Sequence, residues 1–197
     1  KLFPNLERGD MNSVVGIVVH QTGGQSAQGT LAGYRAKGAN GAHFLIDKDG
    51  TIYQTASLNK KTNHVGQIQS RCYIEKTCPP AEFKLIQQQE RTNKDKRKVT
   101  AREHLKAWPD RYPNNSDSIG IELVGFHRNV DGKPEPVYDV VTERQNSSLK
   151  WLIGILSSNL DLHSTLKERW EISINEIFRH PEIGRKNETE ASTAKWK

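Results

Sequence analysis

Apolar residues in this chain fall in short runs separated by long polar stretches, and the period of each run says what it forms. Val14-Val15-Gly16-Ile17-Val18-Val19 is unbroken and β-branched, which predicts a buried strand ending at His20. Beyond Gly23-Gly24, the residues from Ala27 to Lys37 carry helical character, with Gly38 as a C-terminal stop. His43 to Asp47 and Thr51 to Gln54 flank Lys48-Asp49-Gly50, and an Asp-Gly between apolar flanks predicts a hairpin. Ser118 to Gly125 returns to strand, now with Glu122 at its centre. From Thr142 the period lengthens: Leu149, Leu152, Ile153, Leu156 and Leu160 form one helical stripe, and Thr142 with Gln145 has capping-box spacing. Ile172 to Phe178 predicts a last short strand leading into His180.

Between about residues 67 and 117 this periodicity is lost, which predicts a long insertion on one face with a short helix near Thr100 to Ala107. Strands alternating with at least two covering helices predict an α/β fold, a central mixed β-sheet flanked by helices. At 197 residues the chain has room for one such domain and not two, so a single domain over 1–197 is expected. No run approaches the roughly 20 apolar residues of a membrane span, so none is expected. No signal peptide is visible, but a chain opening on Lys1 instead of Met admits trimming, so this says little about export.

The formal net charge of +6 favours an acidic partner, and basic residues crowd the stretch from Lys84 to Lys106. A solvated basic loop explains the same run, and no zinc-finger, helix-turn-helix or RNA-binding motif is present, so nucleic acid is not the expected partner. Cys72 and Cys78 are the chain's two cysteines. A pair so close admits a small disulfide-closed loop and hence an oxidising compartment, and it also admits two free thiols. The spacing does not suit a metal site.

Zinc hydrolases need three protein ligands and one open position, and His20, His180 and an acid after His180 are the candidates here. A single His at a strand end is more often structural, so the local sequence must decide. Val18-Val19-His20-Gln21-Thr22, His43-Phe44-Leu45-Ile46 with Asp49-Gly50, Asn63-His64-Val65-Gly66, Ser118-Ile119-Gly120-Ile121-Glu122-Leu123-Val124-Gly125, and Arg179-His180-Pro181-Glu182-Ile183 with Gly184-Arg185-Lys186 follow in this order. Together they resemble the type 2 amidase family, the N-acetylmuramoyl-L-alanine amidases and peptidoglycan recognition proteins, over roughly Val14 to Lys195 apart from the insertion.

The resemblance implies a Zn2+ cofactor held by His20, His180 and a third ligand counted from Lys186 as Glu188, with Glu190 as the alternative. It implies Glu122 as general base and Lys186 as the cation that stabilises the oxyanion; a buried ion pair between these two is the structural alternative for Glu122. His64 is expected to line the cleft and contact substrate, and His43 to be structural. A family tyrosine before the His-Phe strand is replaced by Ala42, its work falling to Glu122 and Lys186. The implied reaction is hydrolysis of the amide joining N-acetylmuramic acid to L-alanine in peptidoglycan, in the periplasm or outside the cell. The implied partner is peptidoglycan, with an inhibitor or immunity protein as a further one at the insertion. A non-catalytic peptidoglycan-binding module is the alternative, because recognition proteins of this family bind without cleaving once a zinc ligand is lost.

Overall fold

A computed structural model of the chain describes residues 2–158 and 171–197. Five strands, β2 (Gly16–Gly23), β3 (Phe44–Ile46), β4 (Ile52–Gln54), β6 (Ser118–Arg128) and β8 (Ile177–Arg179), form the main sheet in the order β4-β3-β6-β2-β8. β3, β6, β2 and β8 run parallel to one another, while β4 returns antiparallel through the Asp-Gly hairpin and β7 (Val137–Tyr138) pairs antiparallel with the end of β6. The sheet is therefore mixed, and unbroken runs such as Ile17-Val18-Val19 are what a parallel centre covered on both faces requires. β1 (Glu7–Asp10) and β5 (Lys60–Thr62) make a separate small ladder.

Alternation along β2 and β6 divides the sheet into two faces. Ile17, Val19, Ile119, Ile121 and Leu123, with Phe44 and Ile46 from β3, pack against Leu149, Leu152, Ile153 and Leu156 of α5 (Glu143–Ser157). Each such side chain contributes about 1.5–3 kcal/mol relative to exposure. Thr142 caps α5 and Gln145 completes the capping box, while the Gln145 Nε2 also donates to the carbonyls of Ile46 (3.2 Å) and Val124 (2.9 Å). The helix start is thus tied to two strands. Leu160, expected on the same stripe, lies outside the described residues.

The opposite face carries Val18, which packs with Val65, Ile68, Tyr112 and Ile183, and beside it His20. β2 does not stop at His20: its ladder with β6 runs on to Gly23, so the imidazole stands on a continuing strand. α1 (Ala27–Gly33) is shorter than the Ala27–Lys37 pattern, and β8 is preceded by a 3-10 turn at Ile174–Glu176.

The 67–117 stretch departs most from its expectation. It contains α2 (Arg71–Ile74), α3 (Pro80–Gln89) and α4 (Asn93–Glu103), so the short helix expected near Thr100 to Ala107 begins earlier and ends at Glu103. These helices show no apolar stripe because they bury so little: Ile86 in α3, and Val99, Thr100 and Glu103 in α4. Polar anchors hold them instead. The Thr100 hydroxyl donates to the Ile68 carbonyl (2.9 Å), Arg111 pairs with Asp117 just before β6, and Cys72 is disulfide-bonded to Cys78.

Candidate metal centre and its cleft

Parallel register sets His20 of β2 directly beside Glu122 of β6, and β8 delivers His180, the first residue of α6 (His180–Ile183), beside both. The His20 and His180 Nδ1 atoms are 2.8 Å apart, and the Glu190 Oε1 lies 3.0 Å from the His180 Nδ1 and 3.5 Å from that of His20. All three residues are buried. A turn and a tether bring Glu190 there: its amide donates to the Asn187 carbonyl (3.0 Å), and the next amide, of Ala191, donates to the Gln21 Oε1 (2.9 Å) beside His20.

The outer nitrogens of both imidazoles are engaged. His180 Nε2 faces the Val65 carbonyl at 2.6 Å, an acceptor only, so it carries the proton. His64 Nε2 sits 3.3 Å from the Ser118 carbonyl, which leaves the His64 Nδ1 as acceptor for the His20 Nε2 proton at 3.0 Å. In their neutral forms His20 and His180 then turn lone pairs toward each other and toward a carboxylate oxygen. Three lone pairs converging with no proton between them are the donor set of a cation, and two imidazoles with one carboxylate suit zinc. Burial and the neighbouring His180 lower the His20 pKa to about 4, which keeps this ring neutral at physiological pH.

Glu188, the first choice for the third acid, is exposed, lines a neighbouring groove and lies outside this trio; the acid beside the imidazoles is Glu190. The chain tightens at Asn187, whose side-chain Oδ1 accepts the Thr189 amide, and a count of two residues from Lys186 stops inside that turn. His64 is placed behind His20 as its hydrogen-bond partner, with part of its ring reaching the cleft. Gly120 makes that possible, because a Cβ there would lie 2.7 Å from the His64 Nδ1. His43 is buried between strands, its Nδ1 accepting the Gly120 amide and its Nε2 donating to the Lys60 carbonyl.

A cavity of about 320 Å3 opens over the trio, lined also by Glu122, His64, Tyr138, Lys186 and Asn187. Burial raises the Glu122 pKa to about 7, against the opposing effect of a hydrogen bond from the Tyr34 hydroxyl to its Oε2 (3.0 Å). Among the described residues Glu122 makes no ion pair with Lys186, whose charge lines the same cavity and acts on Glu122 through space, favouring its ionised form. Tyr34 was hidden in the sequence as one residue of a helix. It enters over Gly41, where a Cβ would lie 2.5 Å from its ring, so a hydroxyl reaches the site from the end of α1 while the position before His43 is Ala42. The glycine two residues before His43 was the available signal.

A family model, N-acetylmuramoyl-L-alanine amidase (Amidase_2), matches residues 10–192. The chain belongs to this amidase family. Among solved structures, the amidase chain is similar to the catalytic domain of XlyA (20% identity, TM-score 0.47, covering 92% of this chain and 80% of that one). It is also similar to AmpDh3 from Pseudomonas aeruginosa in complex with anhydromuramic pentapeptide (20% identity, TM-score 0.50, covering 88% of this chain and 53% of that one). A third is the endolysin amidase LysCS from Clostridium intestinale (18%, TM-score 0.44, covering 95% and 85%). This chain spans about half the length of AmpDh3 and most of the other two. No curated protein sequence matches. Membership of the amidase family supports activity on peptidoglycan, and no helix among the described residues is long and apolar enough to cross a membrane.

Proposed function

We propose that this chain is a zinc-dependent N-acetylmuramoyl-L-alanine amidase, which hydrolyses the amide between the lactyl group of N-acetylmuramic acid and the L-alanine of the peptide stem. The observation that carries the reading is the convergence of three candidate ligand atoms, His20 Nδ1, His180 Nδ1 and Glu190 Oε1, beside the carboxylate of Glu122. His20, His180 and Glu190 would hold the metal; when bound, zinc acidifies a water and polarises the scissile carbonyl.

Glu122 is the proton carrier. With a pKa raised to about 7 it takes a proton from the attacking water and hands it to the departing alanine amine, and the Tyr34 hydroxyl holds its Oε2 in place. Lys186, at the rim of the same cavity, sets its charge against the developing negative charge on the carbonyl oxygen. His64 orients His20 by accepting its Nε2 proton, a supporting role that adds to the substrate contact expected of it. The domain comprises the sheet, α5 and the 67–117 insertion, and the Cys72–Cys78 disulfide supports action in an oxidising compartment, periplasmic or secreted.

The test is mass spectrometry of purified peptidoglycan treated with the zinc-loaded protein. Free stem peptides with an unblocked N-terminal L-alanine are expected, and far fewer from the Glu122→Gln variant although it retains zinc. Stoichiometric zinc with no peptide release would instead favour the binding module.

A further inference from the structure

A second cavity, of about 710 Å3, adjoins the catalytic one: Lys186 and Asn187 line both. One wall is α4 of the insertion, which contributes Lys96 and Arg97; the other carries Glu135 and Glu188. The walls are stitched together. Ile68 bridges Gly184, the Gln69 amide donates to the Ile183 carbonyl and the Arg185 amide to that of Gln67, and the Arg185 guanidinium grips Glu90 through both terminal nitrogens (2.7 and 2.5 Å). The insertion is thus fastened to the turn that follows His180, and the groove between them is a fixed feature of the cleft.

The charges in the groove divide into spent and unspent. Arg185 and Glu90 satisfy each other, whereas Lys96, Arg97 and Lys186 make no ion pair among the described residues. The glycan of the proposed substrate is built of N-acetylated sugars, while free carboxylates and amines are concentrated on the peptide stem. A groove with unpaired cations on one wall and carboxylates on the other matches the stem and not the sugar.

We propose that Lys96 and Arg97 of the insertion are specificity-determining residues, which read a free carboxylate on the stem beyond the L-alanine in the groove continuous with the catalytic cavity. The proposal rests on the amidase reading for the identity of the ligand, and its test does not depend on turnover. Calorimetric titration of the full-length, zinc-loaded Glu122→Gln protein compares two muropeptides: one whose third residue is a diamino diacid with a free carboxylate, the other identical with that carboxylate amidated. The free acid is expected to bind about tenfold more tightly at low salt, with the advantage shrinking as salt rises. In a Lys96→Gln/Arg97→Gln background the ratio should fall to about one, and in Lys96→Glu/Arg97→Glu the amide should become the preferred ligand, the fold being checked by unchanged circular dichroism. Equal binding of the two muropeptides, no binding of either, or a preference surviving in both double variants would overturn the subsite. A preference that behaves as expected, accompanied by no cleavage in the parent protein, would overturn the amidase reading alone.

Discussion

The two faces of one sheet divide the work of this molecule. On the face covered by α5, the β2 and β6 positions are Ile17, Val19, Ile119, Ile121 and Leu123; on the other, Val18, His20, Gly120 and Glu122. Neighbouring residues of the same strand therefore carry opposite burdens, one holding the sheet together and the next holding a polar group where water is scarce. The arrangement teaches why part of the chemistry can be rigid: His20 and Glu122 stand on strands whose other side is locked in the main core. It also means that substitutions one residue apart should fail in different ways.

The largest expected effect is on the reactive face. Glu122→Gln should lower turnover by about 10²–10⁴-fold, the usual worth of a positioned proton carrier, while zinc content stays at the parent level. Its stability should move in the opposite sense. A carboxyl whose folded pKa is raised from 4.5 to about 7 stabilises the fold least once it is ionised, so the Gln variant should unfold later than the parent above pH 7 and lose that advantage below pH 4.5. Calorimetric melting across pH checks the sign.

On the covered face, Ile121→Ala should cost about 2–5 kcal/mol of stability in denaturant titration, and the surviving folded fraction should still bind zinc. A variant that keeps its stability would break the division between faces. Gly120→Ala probes the reactive face without touching a charge: the added methyl pushes His64 away from His20, and zinc affinity should fall by about 10–100-fold in a chelator competition.

The smallest effect sharpens the reactive face further. Tyr34→Phe removes the hydrogen bond that favours ionised Glu122, so the acid limb of the pH–rate profile, near pH 7 in the parent, should move to higher pH while zinc content is unchanged. A limb that stays in place would leave the Tyr34 hydroxyl without influence on Glu122.

What was legible in the sequence followed from local pattern. The hairpin was visible from its Asp-Gly turn, β2 and β6 from short apolar runs, and α5 from its stripe and capping-box spacing. α3 and α4 were not, because Ile86 and Val99 are isolated apolar anchors and the helices are held by a buried hydroxyl and by ion pairs such as Glu90 with Arg185. In the site, Glu122 stood out as a carboxylate inside an apolar strand, whereas His20 and His180 were marked only by the ordered motifs around them. Glu190 could only be an alternative to Glu188, since the choice depends on how tightly the chain turns at Asn187 and on the Gln21 side chain 170 positions away from Ala191. Tyr34, 88 residues from Glu122, left no periodic trace at all.

The centre of the account is one zinc ion shared by His20, His180 and Glu190, and metal stoichiometry in paired variants tests it most directly. Elemental analysis after dialysis should find about one zinc per chain in the parent and in Glu188→Ala, and almost none in Glu190→Ala. Zinc retained by Glu190→Ala and lost from Glu188→Ala would contradict it.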